Sequence, residues 1–204
     1  MELPELLNIE QVSDGWLKKY ELSYRLPDGR EFMYEVVSRK GLDEYREEVM
    51  IEGAVEPRVD AVCIVGHTAD DSFLLIREFR FPMNRMCVAF PAGLVDRGED
   101  AIEAASRELL EETGYDLVRD AQGKPVSAYT CVQPGFSSLG MGDENISMVF
   151  AEVERVGLPH AESTEFIEPF ELPRAQLGEF LRTNPDPLSI RCQLVLEMLV
   201  NKPF

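Results

Sequence analysis

The chain has 204 residues, 45% of them apolar, which is enough for one core and an accessory element. Its 38 acidic and 20 basic side chains leave a net charge of −18 at pH 7, a surplus that repels phosphate backbones and anionic lipid and argues against nucleic-acid or membrane partners. No run approaches the ~18 apolar residues of a membrane helix, the start has no basic segment followed by an apolar one, and Cys63, Cys87, Cys131 and Cys192 have no CxxC spacing, so reduced thiols in a cytoplasm are expected.

Two strand-like runs, 16–26 and 30–39, flank Pro27-Asp28-Gly29, whose turn chemistry predicts a hairpin. Residues 42–57 are rich in glutamate and read as a linker. Strands are predicted at 60–66 and 72–79, and another at 86–90 leads into the glycine loop Pro91-Ala92-Gly93. A helix follows from about Ala101 to about Thr113: Asp100 with Glu103 has the capping-box spacing, and Gly114 suits a left-handed terminus. Ile102, Ala105, Leu109 and Leu110 supply its apolar stripe. Further strands are predicted at 126–132, 145–153 and 166–172, then helices from Pro173-Arg174 to about Arg182 and over 189–200. This mixture predicts an α/β fold, a mixed sheet sandwiched between helices, with residues 1–57 forming an antiparallel extension and 58–204 the main domain.

Glu108, Glu111 and Glu112 stand at i, i+3 and i+4 and share one face of the predicted helix. At that spacing, roughly 5 to 6 Å at Cβ, each pair repels by about 3 kcal/mol at an effective dielectric of ~20. A divalent cation reverses the sign, and carboxylates with a carbonyl from the glycine loop form the oxygen-only donor set that suits Mg²⁺ or Mn²⁺. The plain alternative, a solvated acidic face, is the usual meaning of a glutamate-rich helix. The fixed offsets of Gly93, Glu99, Arg107, the three glutamates and Gly114 favour the ion.

The segment 93–115, GLVDRGEDAIEAASRELLEETGY, resembles the Nudix box, G-x5-E-x7-R-E-U-x-E-E-x-G-U, at every charged and glycine position. Its one departure is Tyr115, where the pattern has an aliphatic residue. The resemblance implies that Glu108, Glu111 and Glu112 bind metal, that Glu99 supports the site through water or Arg107, that Arg107 orients the carboxylates, and that the Ala92 carbonyl joins the ligands. The flanks resemble the ADP-ribose pyrophosphatase, or ADP-sugar diphosphatase, branch at Gly15-Trp16, Tyr34-Glu35, Arg39, Arg77-Glu78-Phe79-Arg80, Phe90-Pro91-Ala92-Gly93, Pro134-Gly135-Phe136-Ser137-Ser138, Glu165-Phe166 and Lys202-Pro203-Phe204. That branch implies a homodimer whose N-terminal strands help to complete each other's sites. Trp16 and Tyr34 then hold adenine by stacking, Arg80 and Arg39 fork onto phosphate oxygens, and the loop at Pro134 and Gly135 lies close to the diphosphate or terminal ribose. A glutamate on a loop outside the box serves there as general base, and Glu165 is its nearest match, with Glu162 and Glu168 as competitors. One branch feature is missing, since Ala89 stands where a glutamate is common.

The expected activity is Mg²⁺-dependent hydrolysis of ADP-ribose to AMP and ribose 5-phosphate, with Mn²⁺ as a possible substitute. The alternatives are another nucleoside diphosphate derivative as substrate, or a nucleotide-sensing module without turnover. His67 and His160 lack the spacing of a metal pair, and Cys131 has no local histidine to activate it.

Overall fold

Gly29 turns the chain with φ +85°, and the Leu26 amide donates to the Arg30 carbonyl at 2.8 Å to close the predicted hairpin. The computed structural model describes residues 1–50 and 58–201. The end of the expected linker, 51–57, and the terminal Lys202-Pro203-Phe204 lie outside the described residues. Two compact units are present, residues 1–58 with 135–146, and residues 59–134 with 147–204.

In the first unit, β1 (Glu5–Gln11), β2 (Lys18–Arg25) and β3 (Glu31–Ser38) form an antiparallel sheet in the order β1-β2-β3. The hairpin expectation covered β2 and β3 and missed β1. Where a linker was expected, Leu42–Met50 form helix α1, with Asp43 and Glu44 favourably placed in its first turn. Its buried residue is Tyr45, which stacks on Tyr20 at 4.5 Å between ring centroids. Ile9 and Leu22 complete this small core.

The second unit begins with β4 (Ala61–His67), β5 (Ser72–Arg80), β6 (Arg85–Ala89) and β7 (Ala92–Leu94). Helix α2 spans Ala101–Thr113, followed by β8 (Tyr115–Leu117) and β9 (Ala128–Thr130). The chain then contributes β10 (Gly135–Phe136) to the first unit, where it pairs with Asn145 and Ile146 at the start of β11 (Asn145–Arg155). The second unit resumes along β11 and ends with β12 (Ile167–Pro173), α3 (Leu177–Thr183) and α4 (Ile190–Asn201).

The mixed sheet of this unit runs β11-β4-β5-β12, with β6 beside β5, β7 beside β4, and β8 and β9 beside β11. Strand alternation sends successive side chains to opposite faces. Val62, Ile64 and Leu74 pack with Ala105 and Leu109 of α2, whereas Val65 and Phe73 line a cavity with Val195 and Leu199 of α4. The central strands are therefore buried on both sides, as their continuous apolar runs require.

Candidate active site

Asp100 starts α2 by accepting from the amides of Ile102 at 2.8 Å and Glu103 at 2.9 Å, while the Glu103 carboxylate accepts from the Asp100 amide. At the other end Gly114 adopts φ +73°. A Cβ there would lie 2.6 Å from the Gly157 carbonyl oxygen, so only glycine fits. The apolar stripe is Ala104, Ala105 and Leu109, with Ile102 packed against the same core; Leu110, expected within it, is exposed. Tyr115, the departure from the box, is buried in the core against α2.

Arg107 joins the parts of the box. Its guanidinium pairs with both oxygens of Glu99, each at 2.9 Å, and donates to the Leu94 carbonyl at 2.8 Å, to Glu108 at 2.7 Å and to Glu111 at 3.3 Å. Five acceptor atoms on loop and helix are thus held by one planar cation, a task for which arginine is shaped. The pairing holds the Glu99 carboxyl below its usual range.

The three clustered glutamates have different surroundings. Glu112 is 3% exposed, and its Oε2 accepts from the Ala92 amide at 3.2 Å. Burial, then the charges of Glu108 and Glu78, push its pKa up to about 9. Burial also raises Glu108, whose carboxyl lies directly over Gly93. A Cβ at position 93 would stand 2.0 Å from Glu108 Cδ, so a larger residue there would displace the Glu108 carboxylate. Glu111 is the more open of the three and meets Arg107.

Of the three candidate bases, Glu165 is the one whose charge reaches Glu78, Glu108 and Glu112. A tight turn fixes it: its amide donates to the Glu162 carbonyl at 2.9 Å, and its carboxylate accepts from the Glu162 amide at 3.0 Å. Glu168 lies exposed on β12, opposite Arg77. Sequence reasoning missed Glu78, a buried acid on β5 whose carboxylate meets Arg80. Its signal was available in the period-two row Leu74, Ile76, Glu78, where an acid follows two apolar residues. Ala89 is buried on β6 beside Ile76.

Trp16, Tyr34, Arg39 and Gly135 belong to the first unit, and Pro134 and Arg80 to the second. Trp16 is 75% exposed in a bend before β2, not on a strand as expected. Tyr34 sits on β3 opposite Leu22, with its hydroxyl donating to the Gly140 carbonyl at 2.8 Å. The strand from Tyr34 to Ser38, the partner of Lys18, extends about 13 Å, and among the described residues Tyr34 makes its ring contact with Phe32. Trp16 and Tyr34 of one chain therefore do not form a ring pair. Arg39 is ion-paired with Glu144. Asp143 accepts from the Ser38 hydroxyl at 3.0 Å and from Lys40 at 2.9 Å.

The donor set suits a hard divalent cation. It consists of oxygen, much of it buried carboxylate, and it outnumbers the nearby guanidinium groups of Arg107 and Arg80. Among the described residues no three acidic, histidine or cysteine side chains converge as a closed metal site; Arg107 draws Glu108 and Glu111, and the Ala92 amide holds Glu112. His67 pairs with Asp71 at 2.8 Å instead, and Cys131 is exposed.

The profile of the NUDIX domain matches residues 57–191. An ADP-ribose pyrophosphatase from Saccharomyces cerevisiae is 31% identical over 178 residues, covering 82% of this chain and 69% of the relative. An ADP-sugar pyrophosphatase from Mus musculus is 29% identical over 173 residues, covering 82% and 72%. A crystal structure of an ADP compounds hydrolase superposes with a TM-score of 0.74 at 22% identity, covering 99% of this chain and 94% of that one, which establishes the likeness of fold.

Proposed function

We infer that this chain, which belongs to the NUDIX domain family, hydrolyses the diphosphate of ADP-ribose or a related ADP-sugar. The observation that carries the reading is the pair Glu108 and Glu112 on α2, packed against the Pro91-Ala92-Gly93 loop with Arg107 beside them. The names of the yeast and mouse relatives supply the substrate class.

Nudix hydrolases use divalent metal ions, and Mg²⁺ is the ion we assign. Glu108, Glu111 and Glu112, with the Ala92 carbonyl, would hold it; Glu99 acts through Arg107, to which both its oxygens are bound. When bound, the ion neutralises phosphate charge and makes water more acidic. Arg107 ties the Leu94 carbonyl, directly after the glycine loop, to Glu108 and Glu111 of the helix. Arg80, at the end of β5, supplies a fork for the diphosphate oxygens. Glu165 accepts the proton of the attacking water. The water oxygen bonds to one phosphorus while the bridging oxygen leaves with the other phosphate, giving AMP and ribose 5-phosphate from ADP-ribose.

Recognition of the base rests on the first unit. Trp16 and Tyr34 are the aromatic residues offered to adenine, and because one chain does not pair them, a clamp needs both subunits of a homodimer. Pro134 and Gly135 are assigned to the diphosphate or terminal ribose. Arg39 contributes to phosphate binding only if it leaves Glu144.

The test is incubation with Mg²⁺ and a panel of nucleoside diphosphate derivatives, with products identified by mass. ADP-ribose is expected to give AMP and ribose 5-phosphate, and Glu112→Gln to lower turnover by about 100-fold or more. Cleavage of another derivative with ADP-ribose inert overturns the substrate assignment. Tight binding without products overturns the enzymatic one.

A further inference from the structure

On β5, the residues that face α2 are the alternate ones. Leu74 packs against Ala105 and Leu109, Ile76 follows two positions on, and Glu78 comes next in the same row. One helical turn beyond Leu109, α2 presents Glu112. An acid is therefore placed at the end of an apolar row, level with the most buried carboxylate of the box.

The strands on either side of Glu78 lead into the same region. Across one ladder it pairs with Cys87 of β6, the strand that runs on to Pro91, Ala92 and Gly93. Across the other it pairs with Ile167 of β12, and the Phe79 amide donates to the Phe166 carbonyl at 3.0 Å, directly after Glu165. Glu78 thus lies between the glycine loop and the candidate base.

Its environment is costly for a carboxylate. The residue is 9% exposed, and its buried Oε1 is ion-paired with Arg80. A carboxylate buried with one arginine as its partner and other acids close by has capacity for a further cation. The acidic groups of Glu112 and Glu165 are close enough to act on Glu78 electrostatically, so a further partner is a cation.

We propose that Glu78 is a further carboxylate of the divalent-ion site, binding the cation together with Glu108 and Glu112. This rests on the reading of the site as ion-binding given above. Glu78 supplies, from a strand, a negative charge that α2 alone does not provide. Removing that charge weakens ion binding before any nucleotide is present.

The experiment is a titration of the nucleotide-free protein with Mn²⁺, free ion being counted by electron paramagnetic resonance, for wild type, Glu78→Gln, Glu112→Gln and the exposed Glu154→Gln. Glu78→Gln is expected to weaken Mn²⁺ binding by about 10- to 100-fold. Glu154→Gln leaves it unchanged. In EDTA the melting temperature of Glu78→Gln should equal or exceed that of wild type, because repulsion among buried carboxylates is relieved. Wild-type affinity in Glu78→Gln with a loss in Glu112→Gln overturns this proposal alone. Wild-type affinity in both overturns the ion site and the proposal together. A lower melting temperature of Glu78→Gln in EDTA assigns the carboxylate to structural support of Arg80 and also overturns it.

Discussion

Glu112 shows how far one environment can move one side chain. Burial lifts its carboxyl from an ordinary 4.5 to about 9, so folding favours the protonated form across that interval. Below about 4.5 both folded and unfolded chains hold the proton and folding is unpenalised; as pH rises towards about 9 the unfolded chain releases it first and stability falls. In EDTA, urea midpoints should decline across this window, and Glu112→Gln should flatten the decline; equal slopes in the two proteins would exclude Glu112 as the source. The α2 glutamates were legible because helical spacing places them together whatever surrounds the helix. Glu78 was less so, since Arg77-Glu78-Phe79-Arg80 looks polar until the strand is known to be covered on both faces. The Arg39–Glu144 pair was illegible: its members are 105 residues apart, and only the fold brings them together.

Helix α2 was predicted to the residue because its ends are chemically marked. Asp100 and Glu103 cap one end reciprocally, and Gly114 closes the other. Asp100→Ala should cost about 1 kcal/mol in urea unfolding, and a change below a few tenths would show that tertiary packing alone fixes the start of the helix. The central strands were legible from uninterrupted apolar runs, and the hairpin from its turn. Helix α1 was missed because its nine residues bury little but Tyr45, whose partner Tyr20 comes from a distant strand. Strands β7 and β8, of three residues each, are too short to show a period at all. β1 mixes polar and apolar residues with a register shift between Leu6 and Asn8, which hides its alternation.

At the scale of the whole molecule, the first unit leaves apolar surface uncovered. Phe32, Met33 and Tyr34 are exposed in succession along β3, and Leu7 and Leu17 are exposed on the same unit. Surface of this kind marks an association face. Light scattering is expected to report twice the chain mass, with paired Phe32→Ser and Met33→Ser substitutions shifting it towards a monomer; a monomeric wild type would remove the homodimer from the scheme. The excursion of residues 135–146 into the first unit has another consequence, for the order in which the chain acquires its structure. Synthesis delivers β1, β2 and β3 long before their last partners: the Tyr34 hydroxyl waits for a carbonyl 106 residues downstream, and Ser38 for Asp143. Loop closure over such separations is slow, so the nascent N-terminal sheet emerges with an unfinished edge and depends on most of the second unit being made before it can be completed.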